Sequence, residues 1–211
     1  MAPPPIPGPM AFYPHLHPAS GGGGLFARVD EVAVAAITDL YREVMPAGGA
    51  ILDVMSSWVS HLPPEVHYRR VVGLGGDVRA LAENAFLDEW RVQDLNDDPR
   101  LGFAGGEFDG AAICGAVQYL RRPAEVIREV GRVLKPGAPL VVTFSNRCLC
   151  TTANGCWRLF DDTGRLSLVA RFFVEAGNFV DIRCLDRTPP GGGDPLYAVV
   201  AKSAGTGAAC D

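Results

Sequence analysis

The chain has 211 residues, 48% of them hydrophobic, and a formal net charge of −5 at pH 7. That length suffices for the core of one full-sized domain, and the acidic balance argues against nucleic acid as the main partner. No apolar run approaches the ~18 uncharged residues that a membrane span needs. The six cysteines lack the regular spacing of a secreted disulfide scaffold. We therefore expect an intracellular, reducing compartment, the cytoplasm in the first instance, while the sequence leaves an organelle open.

The two ends of the chain differ in composition from its middle. Residues 1–24 are rich in proline and glycine and carry no lysine or arginine. This composition is typical of a flexible leader and differs from that of a signal or transit peptide. Residues 204–211 predict a second flexible tail, so the domain is predicted to occupy residues 25–203.

Helical and strand patterns alternate along this domain. Apolar residues recur at helical spacing from Phe26 to Met45, and the apolar run 50–55, which contains Asp53, predicts a strand buried on both faces. The other predicted elements are strands at Tyr68–Leu74, Trp90–Leu95 and Pro139–Phe144, a strand beginning at Phe108, helices at Asp77–Ala85 and Asp161–Gly177, a helix beginning at Pro123, and a hairpin of Val180–Leu185 with Leu196–Lys202. This order predicts a doubly wound α/β fold with a mostly parallel sheet covered by helices on both faces.

The predicted ligand site lies after the first strand. In open α/β sheets ligands bind beyond the carboxyl ends of the strands, and here the polar loop from Ser56 to His61 follows Asp53. His61 is a candidate general base for a hydroxyl, thiol or amine. A hydrogen-bonded structural histidine is the alternative for a single imidazole beside prolines.

Several segments resemble the class I, type 11 methyltransferases, which depend on S-adenosylmethionine and include quinone-biosynthesis enzymes. The matching segments are Ile51-Leu52-Asp53, Asp94-Leu95, Phe108-Asp109 and the run Ile127–Ala138, which is similar to that family's E-x-x-R-V-L-K-P-G-G signature. The resemblance covers about residues 26–202. It implies a seven-stranded Rossmann-like sheet with an antiparallel terminal strand, S-adenosylmethionine as co-substrate and no metal.

The loop after the first strand departs from that family. The family has glycines at the positions of Met55, Ser57 and Val59 here, and an acid at the position of Gly75 that accepts the ribose hydroxyls. Serine hydroxyls could replace backbone donors, and Asp77 is either a substitute acid or a helix N-cap. The loop is thus either a variant that binds the cofactor or a decayed site on a retained scaffold.

The resemblance and the strand ends together define the candidate site. The expected cofactor-binding residues are Asp53, Ser56, Ser57, Asp77, Asp94, Leu95 and Gln118, and the expected acceptor-binding residues are Trp58, Tyr119, Asn146 and Arg147. Phe103 is either a stacking partner for adenine or an ordinary core residue. For Asp53 and Asp94 the alternative is a capping or loop-orienting carboxylate.

Cys148, Cys150 and Cys156 cluster after the fifth predicted strand. They lack a C-x-x-C pair and an evident fourth ligand, so reduced thiols are expected in preference to a zinc site. The predicted function is methyl transfer from S-adenosylmethionine to a small-molecule acceptor. The alternatives are a catalytically inactive interaction or scaffold module and, more weakly, a nucleotide-dependent reductase, which would need a G-x-G-x-x-G loop after the first strand.

Overall fold

The computed structural model describes residues 29–146 and 155–205, without the side chains of residues 155 and 156. The tail predicted at 1–24 and most of the tail predicted at 204–211 lie outside the described residues. The same holds for Arg147, Cys148, Cys150 and the side chain of Cys156. No helix among the described residues is long and apolar enough to cross a membrane.

Within the described residues, the centre of the molecule is one seven-stranded sheet. Its strands are β1 (Ala50–Val54), β2 (Arg70–Gly75), β3 (Glu89–Val92), β4 (Gly110–Cys114), β5 (Pro139–Phe144), β6 (Phe179–Asp186) and β7 (Tyr197–Ser203). They lie in the order β3-β2-β1-β4-β5-β7-β6. All neighbours from β3 to β5 pair in parallel, and β7 pairs antiparallel with both β5 and β6. The predicted Rossmann-like sheet and terminal hairpin are confirmed.

Within the part of the chain that the structure describes, four α-helices cover the two faces of the sheet. They are α1 (Glu31–Val44), α2 (Val78–Glu83), α3 (Pro123–Val133) and α4 (Asp162–Ala176). Apolar side chains of α1 pack with alternate sheet residues into one core cluster, and those of α3 and α4 pack with the other alternate residues into a second cluster. Leu81 of α2 lies against Gly73, on the α1 face. This two-layer covering explains why the central strands are mainly apolar.

The crossover from β1 to β2 is the irregular part of the fold. Residues 55–69 form a loop with no helix, and Pro63 and Pro64 lie within it. Two non-glycine residues in this loop, Met55 and His61, have positive φ angles of 59° and 52°. Such backbone conformations persist only where the surrounding contacts hold them.

The glycines at the end of β2 are required for packing. A Cβ atom on Gly73 would lie 2.4 Å from a methyl of Leu87, and one on Gly75 would lie 2.3 Å from the carbonyl oxygen of Ser56. The loop after β1 therefore occupies the space that a side chain at position 75 would need. An acid at position 75 would therefore displace the loop. Packing alone accounts for both glycines, without a bound phosphate.

Candidate functional site

A cavity of about 50 Å³ lies at the carboxyl ends of β1, β4 and β5, on the face that α1 covers. That space holds about three or four water-sized groups. Its polar lining consists of Asp53, Ser56, Ser57, His61, Cys114, Gln118, Thr143 and Ser145, and its apolar lining includes Val29, Ile37, Met55, Val59 and Leu196. The cofactor-binding residues predicted after β1 and after β4 thus lie together around this cavity.

The carboxylate of Asp53 is the anionic group of this cavity. The residue is 4% exposed, and the hydroxyls of Ser56 and Ser60 each donate a hydrogen bond of 2.6 Å to its Oδ2. No described residue donates to Oδ1. Burial raises the pKa of Asp53 to about 6, while the two serine hydroxyls act in the opposite direction. At pH 7 most of the population is therefore ionised.

Asn84 ties the loop after β1 to the end of α2. Its Nδ2 donates to the carbonyl oxygen of Ser57 at 2.8 Å and to the hydroxyl of Ser60 at 3.0 Å. Asn84 is 4% exposed and is the C-cap residue of α2. Because Ser60 also bonds Asp53, the amide, the hydroxyl and the carboxylate form one buried chain of hydrogen bonds.

His61 lines the cavity from the same loop. Its side chain is partly exposed, but its Nδ1 is buried and has no hydrogen-bond partner. Burial lowers the pKa of His61 to about 4. The imidazole is consequently neutral at pH 7 and able to accept a proton.

Further buried polar groups line the cavity or lie next to residues that line it. The Nε2 of Gln118 donates to the carbonyl of Gly115 at 2.8 Å, whereas its Oε1 has no partner. The hydroxyl of Tyr41 on α1 lies near Cys114 and Thr143, yet neither it nor the Thr143 hydroxyl makes a hydrogen bond of good geometry. Buried polar atoms are normally paired, so these groups indicate a polar occupant.

The electrostatics of the cavity favour a cation. Burial raises the pKa of Cys114 to about 11 and that of Tyr41 well above its ordinary value. With His61 also neutral, the ionised Asp53 carries the one charge among the described lining residues at pH 7. A buried anion with an open oxygen is a strong acceptor for a positively charged donor.

Three predicted cofactor contacts lie elsewhere in the structure. The exposed Asp77 caps α2, with its Oδ1 accepting from the backbone N–H of Arg79 at 2.9 Å. Asp94 stands two residues beyond the end of β3, is exposed and accepts from the N–H of Asn96 at 2.8 Å. The third strand is thus shorter than predicted. The side chain of Leu95 is 3% exposed and belongs to the core.

The predicted acceptor residues do not line this cavity. Trp58 is 39% exposed, so its indole does not plug the site. Tyr119 packs against the core cluster of the α3 face, and Asn146 donates to Asp162 at the start of α4 at 3.1 Å. Arg147 falls outside the described residues. Phe103 is a core residue whose ring meets that of Phe108 edge to face at 5.0 Å.

Sequence reasoning missed four residues around the cavity. Cys114 and Thr143 are the paired residues near the ends of β4 and β5, and strand alternation from Asp53 could have placed them on its face. Tyr41 and Asn84 approach from distant parts of the chain, and no local pattern marks them. Among the described residues no group of three or more His, Cys, Asp or Glu could hold a metal.

The family-like run at residues 127–138 makes structural contacts through charged side chains of α3. Glu129 pairs with Arg132 at 2.8 Å and accepts from the N–H of Leu101 at 3.0 Å. Arg132 donates to the carbonyl oxygens of Leu101 and Phe103 at 2.8 and 2.9 Å. The run therefore anchors the loop between β3 and β4, and none of its residues lines the cavity.

Comparison with known proteins agrees with this architecture. Residues 60–142 match the family model for the type 11 methyltransferase domain. The resemblance to class I, type 11 methyltransferases is confirmed. The match begins at Ser60. It therefore leaves out β1 and residues 55–59, which include the three positions where the family has glycines. A search of the curated proteins finds no match.

Solved structures share the fold at low sequence identity. A methyltransferase from Aquifex aeolicus dependent on S-adenosylmethionine is 15% identical, with a TM-score of 0.56 over 79% of this chain and 88% of that one. The [4+2]-cyclase SpnF is 17% identical, with a TM-score of 0.59 over 79% and 80%. A chain from the complex between the Haloferax volcanii Trm112 methyltransferase activator and a methyltransferase is 15% identical, with a TM-score of 0.60 over 85% of this chain and 93% of that one. The second of these, a cyclase, illustrates that the fold alone does not fix the reaction.

Proposed function

We propose that this chain binds S-adenosylmethionine and transfers its methyl group to a small-molecule nucleophile. The observation that carries the proposal is the ionised carboxylate of Asp53, with Oδ1 open, in a cavity whose other polar lining groups are neutral. The cavity lies between β1 and β4, where the strand order reverses. Open α/β sheets bind ligands at that point.

The lining residues fit the amino-acid end of the cofactor. An ammonium group is both a cation and a hydrogen-bond donor, and Asp53 Oδ1 and Gln118 Oε1 are acceptors that no described residue satisfies. A space of about 50 Å³ accommodates that end and little more. The nucleoside must therefore be held outside it.

The protein's contribution to such a reaction is positioning and exclusion of water. S-adenosylmethionine, when bound, supplies a methyl group on a sulfonium that a nucleophile displaces in line. Within the cavity, the neutral imidazole of His61 has a buried, unpartnered Nδ1. We assign to it the role of accepting the proton from a hydroxyl, thiol or amine as that group attacks.

The second candidate function is that of a catalytically inactive scaffold with the same fold. Two observations favour it. The carboxylate of Asp94 is exposed and engaged in a local turn, and the described cavity is smaller than the ~300 Å³ at which small-molecule sites begin.

Two measurements on the purified chain separate these functions. Calorimetric titration of S-adenosylmethionine measures binding, and mass spectrometry after addition of a small-molecule cell extract measures S-adenosylhomocysteine formation. Binding with product formation supports methyl transfer, and binding without product supports the scaffold. An absence of binding at millimolar cofactor would contradict the first function.

A further inference from the structure

We infer that Asn84 is a positioning residue for the cofactor site: it holds the glycine-poor loop after β1 against the end of α2 and, through Ser60, fixes the carboxylate of Asp53. This inference rests on the proposed function. It concerns a residue that lies outside the cavity lining and outside the motifs that carry the resemblance in the sequence, although within the residues that match the family model.

The loop needs such an anchor because it has neither a helix nor glycines to fix its course. Met55 and His61 both have positive φ angles, which are uncommon for residues other than glycine. One constraint is the bond of 2.8 Å from the N–H of Ser56 to the carbonyl of Leu74 in β2. The contacts of Asn84 with Ser57 and Ser60 supply the other side.

Both the nitrogen and the oxygen of the Asn84 amide have hydrogen-bond partners. Its Nδ2 donates at 2.8 Å to the carbonyl of Ser57 and at 3.0 Å to the hydroxyl of Ser60, and its Oδ1 accepts from the N–H of Phe86 at 3.1 Å. With 4% exposure, water cannot replace these bonds. The amide therefore joins the turn after α2 to the loop after β1.

Ser60 passes this restraint to Asp53. A hydroxyl has one proton to donate, and the N–H of Asn84 occupies its acceptor side, so its own proton is directed to Oδ2 of Asp53 at 2.6 Å. Ser56 donates to the same oxygen at 2.6 Å. Both serines thus occupy Oδ2 and leave Oδ1 to face a ligand.

The titration of Asp53 reports directly on this network. The titratable groups that face Asp53 are Tyr41 from α1, Cys114 from β4 and His61 from the loop, and all three are neutral at pH 7. α2 contributes the uncharged Asn84. Hydrogen bonds from the serines lower the pKa of Asp53, so loosening them raises it.

The experiment compares Asn84→Ala with Asn178→Ala in the full chain. Asn178 is a matched control because its Nδ2 donates to the carbonyl of Arg128 at 2.9 Å, next to the end of α4 and away from the cavity. One readout is the carboxyl ¹³C titration of Asp53 without ligand, assigned by comparison with Asp53→Asn. The other is the calorimetric affinity for S-adenosylmethionine at pH 7 and pH 8.

We expect Asn84→Ala to raise the pKa of Asp53 and to weaken binding about tenfold or more at pH 7, with partial recovery at pH 8. Asn178→Ala should lower stability but leave the titration and the affinity unchanged. Where Asn84→Ala fails to fold, Ser60→Ala removes one hydroxyl and is expected to shift the titration in the same direction.

Two results would overturn the inference. One leaves the proposed function intact, and the other contradicts it as well. If the unmodified chain binds and Asn84→Ala keeps both its affinity and the titration of Asp53, the inference alone fails. If the unmodified chain does not bind S-adenosylmethionine, the proposed function fails together with the inference.

Discussion

The loop at residues 55–61 and the family-like run from Glu129 to Gly137 have different structural roles in this molecule. The run matches the methyltransferase family in sequence, yet its charged side chains bind backbone groups of the loop between β3 and β4. The loop at 55–61 departs from the family, yet it lines the cavity. The family-like run thus supports the architecture, and the divergent loop lines the candidate site together with the family-like Asp53.

The two regions also differ in the kind of interaction that they use. Around Arg132 a cation satisfies carbonyl oxygens at the margin of the core. Around Asp53 two neutral hydroxyls donate to one oxygen of a buried carboxylate and leave the other oxygen open, while the amide of Asn84 donates to one of these hydroxyls. The first arrangement stabilises the fold, and the second keeps an ionised group buried at a cost in stability.

The largest expected effect is that of Asp53→Asn near the end of β1, beside the divergent loop. Removing the charge should weaken S-adenosylmethionine binding about 30-fold or more, since truncation of one partner of a buried charge pair costs about 2–5 kcal/mol. Stability at pH 7 should rise by up to about 3 kcal/mol, because a pKa of about 6 in place of 3.8 means that folding disfavours the ionised form. Calorimetry and urea unfolding measure the two effects.

That stabilisation has a defined pH dependence. Since the folded pKa of Asp53 is raised, its contribution to the stability of the unmodified chain is present below about pH 4 and is lost as the pH rises through about 6. Asp53→Asn should therefore gain little at pH 4. Unchanged affinity in this variant would break the comparison between the two regions.

Arg132→Ala tests the family-like run. Leu101 and Phe103 would lose the donor to their carbonyl oxygens, which should destabilise the fold by about 1–3 kcal/mol. For a chain of this size that corresponds to a fall in Tm of about 2–12 °C. Cofactor affinity measured well below the Tm should stay the same. A loss of affinity in a folded variant would show that the run takes part in the site.

His61→Asn sharpens the account of the loop, because asparagine tolerates the positive φ of 52° at this position. The folded pKa of His61 is lowered to about 4, so its contribution to stability is present above about 6.5 and is lost as the pH falls through about 4. The variant should lose less stability than the unmodified chain between pH 7 and pH 4. Urea unfolding at both pH values measures the difference, and identical pH profiles would contradict it.

Asp77→Ala is expected to have the smallest effect. The side chain caps α2 by accepting from the N–H groups of Arg79 and Ala80, and loss of a cap costs about 1 kcal/mol. Thermal unfolding should show a decrease in Tm of about 2–4 °C, with no change in cofactor affinity. Weaker binding would restore Asp77 as the substitute for the family's ribose acid.

Much of the fold follows from patterns within single elements. The apolar runs of β1 and β5, the helical spacing in α1 and α3 and the terminal hairpin were all predictable, because burial on one or two faces imposes a characteristic period. The capping role of Asp77 was also available from its position before α2. The end of β3 was not, since no local signal after Val92 ends the strand.

The site was predictable only in part, for a physical reason. The position of Asp53 at the end of a buried strand indicates a ligand edge, and the serines and His61 follow in the same loop. Asn84 is 24 residues from Ser60 along the chain and meets it only in the folded protein. Tyr41 likewise reaches the site from α1, so its contribution depends on how that helix packs.

The central claim is that the open oxygen of an ionised Asp53 binds the cationic end of S-adenosylmethionine. Calorimetric titration of the cofactor at pH 7.5 and at pH 5 tests it most directly. With a pKa of about 6, the ionised fraction falls about tenfold between these values, so the affinity should fall about tenfold as well. An affinity that does not change with pH, or an absence of binding at both values, would contradict the claim.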